Sequence, residues 1–142
     1  MKKEKTLVMS LLLLIGLLGS ACERDTTLEI VSGEPLKFIL RGSGSLGRLR
    51  IRGPKQQREG GENASIYWAI EPKDHDRNVE DLSPIVYGQV PKSYVQVYPE
   101  QGEAPPLVDG ERYYINVDTN DANGVREYFV IRNGNVEVSG AL

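Results

Sequence analysis

Among its 142 residues the chain has one cysteine, one histidine, one tryptophan, two methionines and two phenylalanines. Each scarcity closes off a chemistry. A single cysteine forms no disulfide within the chain, so stability must come from core packing. One histidine and one cysteine are too few for a structural zinc site. There is no G-x-S-x-G nucleophile elbow. The lone His75 lies in Asp74-His75-Asp76, a charged stretch where a histidine reads as a solvated side chain rather than a catalytic base. No catalytic residue, metal or cofactor is expected. A basic excess is missing too: 17 lysines and arginines face 20 aspartates and glutamates, which argues against nucleic-acid binding. No apolar run is long enough for a permanent membrane span. The longest uncharged stretch, 6–22, has seventeen residues, against about 20 needed. Helical periodicity is also wanting. All eight prolines fall beyond residue 34, and no segment between them shows a clear 3.6-residue apolar repeat.

What is present begins with Lys2, Lys3 and Lys5, then the apolar run Leu11-Leu12-Leu13-Leu14-Ile15, then Gly19-Ser20-Ala21-Cys22. That order is a secretory signal with small residues at its cut site, followed directly by the only cysteine. It resembles the lipobox of bacterial lipoproteins, with Leu18 one place further from the cysteine than is usual. The resemblance implies cleavage after Ala21 and lipidation of Cys22, with membrane anchorage through the lipid. A lone thiol in an oxidising compartment would otherwise be a liability. Several acyl chains anchor stably where one does not. Glu23 follows the cysteine, where an aspartate would signal inner-membrane retention in enteric-type bacteria. The expected location is therefore the cell envelope, lipid-anchored at the outer membrane and facing the periplasm. The expected organisation is a signal at 1–21, a lipidated tether at 22–27 and one domain at 28–142. After the cut, 14 basic and 19 acidic residues remain, a net charge of about −5. About 120 residues suit a single domain.

Short β-branched and aromatic runs bounded by turn residues make this domain all-β. Strands are predicted at 28–31, 36–41, 48–52, 65–71, 85–90, 94–98, 112–119, 125–132 and 135–139. In 48–52, Leu49 and Ile51 point one way and Arg48, Arg50 and Arg52 the other. Asn133-Gly134 predicts a tight hairpin, because a type I′ turn needs positive φ at both positions. Pro91-Lys92-Ser93 is expected to link another hairpin, and 72–83 reads as a charged loop.

The segment from Leu107-Val108-Asp109-Gly110 through Tyr113 to Val117 resembles the strand-F entry of immunoglobulin and fibronectin type III sandwiches. That resemblance implies a sandwich of about 7–9 strands. In such folds a tyrosine hydroxyl bonds backbone just upstream, a tyrosine corner. Tyr113 takes that role, and Trp68, flanked on its own face by Ile66 and Ile70, becomes a core tryptophan. The Tyr87-Gly88-Gln89-Val90-Pro91, Tyr94-Val95-Gln96-Val97-Tyr98-Pro99 and Pro105-Pro106-Leu107 segments look like those of small bacterial lipoproteins that carry no assigned activity.

Other motifs weigh little. Gly42-Ser43-Gly44-Ser45-Leu46-Gly47 matches G-x-G-x-x-G, but a strand follows it where a dinucleotide site needs a helix. It reads as a hairpin loop. The polar run 118–124 resembles a calcium loop loosely, with Val130 falling where the bidentate glutamate belongs. A polar turn explains it. Asn63-Ala64-Ser65 fits the glycosylation acceptor pattern by chance.

Arg41, Arg48, Arg50, Arg52, Lys55 and Arg58 form a basic block in an acidic protein. The adjacent pairs Tyr113/Tyr114 and Tyr128/Phe129 must each put one ring on either sheet face. Tyr114 and one of Tyr128 or Phe129 therefore face outward, and exposed tyrosines are enriched at binding surfaces. The expectation is a non-enzymatic binding or structural module of the cell envelope. Arg48, Arg50, Arg52, Tyr114 and Tyr128 would meet an envelope protein or polymer. Two alternatives share the anchor: a lipid-anchored inhibitor of an envelope-attacking enzyme such as lysozyme, or a lipoprotein subunit of a secretion assembly.

Overall fold

Alternating apolar residues in short strands need a second layer to cover their buried face, and two sheets supply it. A computed structural model describes residues 25–54 and 66–139. The expected signal and Cys22, together with Lys55, Arg58 and Asn63-Ala64-Ser65, lie outside the described residues. The elements are β1 (Thr27–Val31), β2 (Lys37–Arg41), β3 (Ser45–Arg52), β4 (Ile66–Pro72), α1 (Val79–Leu82), β5 (Ile85–Val86), β6 (Tyr94–Tyr98), β7 (Arg112–Asn120), β8 (Val125–Arg132) and β9 (Asn135–Ser139). The fold is an all-β sandwich. One antiparallel sheet has the order β1-β2-β5, the other β6-β4-β3-β7-β8-β9. The first sheet and the β3-β7-β8 centre of the second follow the A-B-E and C-F-G strand order of immunoglobulin-like sandwiches, with β4 and β6 added on one side and β9 on the other.

The core lies between the sheets. Phe38 and Leu40 of β2 and Ile85 of β5 meet Leu49, Ile51, Trp68, Ile70, Ile115, Val117 and Phe129, all at most 1 % exposed. A register shift between Leu46 and Arg48 leaves Gly47 unpaired. This bulge lets Leu46 and Leu49, three residues apart, both point inward.

The tyrosine corner is present. The Val108 N–H donates to the Tyr113 hydroxyl at 2.7 Å, and the ring is buried against Tyr67 and Phe129. Asn133 and Gly134 have φ of 52° and 76° and join β8 to β9, with Arg132 opposite Asn135.

Several expectations need correction. The strand expected at 85–90 pairs only at Ile85 and Val86. Gly88 then turns the chain with φ of 77°, a conformation that ends a strand and that glycine adopts without a side-chain clash. The segment 91–93 joins no hairpin, because β5 and β6 belong to different sheets. The glycine-rich 42–47 segment is not a hairpin loop either: residues 42–44 carry the chain from β2 in one sheet to β3 in the other, and 45–47 already belong to β3. The charged stretch 72–83 contains one helical turn, capped by Asn78 Oδ1 accepting from the Glu80 N–H at 2.9 Å. Ile66 does not share the inward face of Trp68. A register shift places Ile66 opposite Arg52 and Trp68 opposite Ile51, so a bulge at Tyr67 turns that ring into the core and Ile66 to the other side.

The last residues of the expected tether belong to the domain. Asp25 bridges to Asn123, Thr26 N–H donates to the Asn123 carbonyl at 3.0 Å, and Thr27 opens β1. The chain therefore enters at the end of the sandwich that holds the β7–β8 turn.

Candidate binding face

The outer surface of the six-stranded sheet is built by alternation. Tyr113, Ile115 and Val117 of β7 and Phe129 of β8 are buried, so their neighbours turn outward. Arg112, Tyr114, Asn116 and Asp118 therefore share a face with Arg126, Tyr128 and Arg132 of β8. The register sets Arg52 opposite Tyr114, Arg50 opposite Asn116 and Arg48 opposite Asp118. On the other side of β7, Tyr114 faces Tyr128 and Asn116 faces Arg126. The structure thus brings Arg48, Arg50, Arg52, Tyr114 and Tyr128 together on one surface. Arg41 is not part of it, since β2 lies in the other sheet.

Three carboxylates answer three of the six arginines. Arg48 pairs with Glu71, Arg50 with Asp118 at 3.1 Å and Arg132 with Glu137 at 3.0 Å. Asp118 also accepts from Asn116 Nδ2 at 2.9 Å, and Asn116 Oδ1 in turn accepts from Arg126 Nε at 2.9 Å. Asn116 is only 5 % exposed, so this chain fixes one side of the surface. Among the described residues, Arg52, Arg112 and Arg126 have no carboxylate partner. The strands' outer face therefore carries a local excess of about three positive charges in a chain whose formal net charge is −3.

These three cations border an aromatic centre. Tyr114 and Tyr128 lie with centroids 4.7 Å apart and planes tilted 42°. The Arg112 guanidinium sits over the Tyr128 ring, 4.4 Å from its centroid. This cation–π contact holds a planar fork in place, suited to bidentate contact with a carboxylate or phosphate. Beside Arg48 and Arg50 the surface dips into a groove floored by Ala69 and walled by Val97 and Tyr98.

Sequence reading missed Arg112, Arg126 and the Asn116–Asp118 link. The signal was available: alternation through 112–118 and 126–132 puts them in phase with Tyr114 and Tyr128.

The other singled-out groups are structural. Tyr94 donates its hydroxyl proton to the Leu46 carbonyl at 2.7 Å and accepts from the Arg77 N–H at 3.0 Å. Tyr87 donates to the Pro105 carbonyl at 2.7 Å. Burial raises the pKa of Tyr87, Tyr94 and Tyr113 above the ordinary phenol value. The oxygen-rich run 118–124 spends its groups on the fold: Asn120 Nδ2 donates to Asp76 at 2.6 Å and Asn123 Nδ2 to Asp25 at 3.0 Å. His75 lies with Asp74 and Asp76 beside a shallow surface depression. Among the described residues no helix is long and apolar enough to cross a membrane.

Compared with protein-family models, with curated proteins and with solved structures, the chain matches none.

Proposed function

We propose that this protein is a lipid-anchored, non-enzymatic module of the cell envelope. It presents the arginine- and tyrosine-bearing face of its six-stranded sheet to an acidic envelope protein or polymer. The lipobox-like signal supports anchorage at Cys22, at an outer membrane facing the periplasm. The observation that carries the binding role is the Tyr114–Tyr128 pair bordered by Arg52, Arg112 and Arg126, three cations without a carboxylate partner among the described residues of an acidic protein. Exposed charges of this kind add little to folding stability. They do attract and orient a partner of opposite charge, and the neighbouring tyrosines supply apolar contact area.

The test uses the full-length chain in a bacterium with an outer membrane, beside a Cys22→Ser variant and an Arg52→Glu/Arg112→Glu variant. Cross-linking and pull-down from separated membranes should give outer-membrane wild type with a specific partner. Cys22→Ser should be released, and the double arginine variant should stay anchored but lose the partner. Wild type and Cys22→Ser both soluble would remove the anchor. Undiminished capture by the arginine variant would remove the face.

A further inference from the structure

A second concave surface lies at the end of the sandwich away from Asp25. The registers fix this placement: Thr27 pairs with Arg41 and Ser45 with Asn120 at the entry end, while Val31 pairs with Lys37 and Arg132 with Asn135 at the other. The β1–β2 loop, the turn after β5, the β6–β7 loop and the β8–β9 hairpin converge there on a cleft of about 680 Å³. That volume falls within the range of small-molecule sites, about 300–1,000 Å³.

Its floor is apolar and its rim is acidic. Leu36, Tyr87, Ala104, Leu107 and Ile131 line it as buried or half-buried side chains. Glu34, Glu103 and Asp109 line it as exposed ones. Among the described residues no lysine or arginine lines it, and none of the three carboxylates has an ion-pair partner.

The walls are pinned from both sheets. Tyr87 N–H donates to the Leu36 carbonyl at 2.9 Å, and its hydroxyl donates to the Pro105 carbonyl at 2.7 Å. Gly110 N–H donates to the Ile131 carbonyl at 2.7 Å. The tyrosine corner fixes Val108 between Leu107 and Asp109. A cleft held this way pays little ordering entropy when filled.

We infer that this cleft binds a small organic cation, with an apolar body on the Leu36–Tyr87–Leu107 floor and an ammonium or guanidinium at the Glu34–Glu103–Asp109 rim. Carboxylates of one sign around a cleft with low-dielectric walls concentrate cations there. A neutral ligand of the same shape gains only the floor, and an anion is repelled. The site is independent of the arginine face, which carries the opposite charge and lies on the side of the sandwich rather than its end.

Trp68 reports on occupancy. It is the only tryptophan, and its ring lies 5.5 Å, centroid to centroid, from that of Tyr87. The full-length chain in neutral detergent is titrated with cyclohexylmethylamine and with its uncharged counterpart cyclohexylmethanol, followed by Trp68 fluorescence and calorimetry. The amine should give a saturable change that weakens with added salt, and the alcohol should bind more weakly. A Glu34→Gln/Glu103→Gln/Asp109→Asn variant should bind the amine about tenfold more weakly, because each exposed charge contributes only modestly. Ala104→Phe should fill the floor and abolish binding without altering charge, with folding checked by circular dichroism. Equal binding of amine and alcohol, or unchanged affinity in either folded variant, would overturn the assignment. So would binding of a lysine- and leucine-bearing peptide in the absence of amine binding, which would make the cleft a peptide site.

Discussion

Gln96 ties the core to a surface loop, and its replacement offers a demanding test of the packing. Its Oε1 accepts from the Trp68 indole N–H at 3.0 Å. Its Nε2 donates to the carbonyls of Pro99 at 2.8 Å and Gly102 at 3.0 Å. Trp68 is fully buried, so Gln96→Leu leaves an indole N–H with no acceptor and no water. An orphaned buried donor costs about 1–3 kcal/mol. The two loop carbonyls lie nearer solvent and regain water, so they add little. The expected loss is about 2 kcal/mol. At a urea m-value of roughly 1.5 kcal/mol/M the midpoint should fall by about 1.3 M. Circular dichroism is the readout, because Trp68 is itself perturbed. In the Trp68→Phe background the donor is already gone, so Gln96→Leu should cost less by about 1 kcal/mol or more, a coupling of the size seen for residues in contact. A change below about 0.5 kcal/mol in the single variant, or additive costs in the double variant, would refute the claim that this bond is buried and directed.

Tyr113→Phe should cost about 1 kcal/mol by urea unfolding, the usual net worth of one hydrogen bond, since the exposed Val108 N–H regains water. Glu127 sits on the core-facing side of β8, opposite Ile115, with its Oε2 buried and without a hydrogen-bond partner among the described residues. Glu127→Leu should therefore raise stability by about 1 kcal/mol, and a lower denaturation midpoint would contradict that placement. Gly124→Ala should destabilise by more than about 2 kcal/mol, because a Cβ there would meet the Val117 carbonyl oxygen at 2.2 Å; thermal melts check it. Because burial raises the pKa of Tyr87, Tyr94 and Tyr113, the unfolded chain loses these protons near pH 10 while the folded chain retains them. Their contribution is whole below pH 10 and lost above it, by up to about 1.4 kcal/mol per pH unit for each tyrosine. Urea midpoints measured from pH 8 to 11 should bend downward near pH 10, less steeply in Tyr87→Phe.

Local signals carried the strands other than 85–90, the Asn133-Gly134 turn and the Tyr113 corner, because each depends on residues adjacent in sequence. Alternation in 48–52 also placed the three arginines of β3 correctly on one face. Apart from the strand stop at Gly88 and the Asn78-capped turn, which are local, what failed depends on contacts between distant segments. Nothing local in 42–47 or 91–93 says whether the next strand stays in the same sheet. The bulge that exchanges Ile66 for Tyr67 arises from pairing with β3, and the alternating pattern of β4 conceals it. Gln96 reads as an ordinary polar residue of an edge strand until β6 is laid beside β4. The arginine face was half legible: Arg112 and Arg126 join it only once β7 and β8 are known to flank β3 in that register.

The bond between Asp25 and Asn123 sets a distance as well as a starting point. Three steps of extended chain from Cys22 to Asp25 reach about 10 Å. Under the proposed lipidation of Cys22, the domain would have almost no leash. It would stand on its β7–β8 turn with its strands rising from the bilayer, and β7, nine residues long, spans about 30 Å. The arginine face would then form a wall upright to the membrane, met from the side by neighbours diffusing in or along the same surface. The acidic cleft would crown the wall, turned toward whatever arrives from the aqueous space beyond.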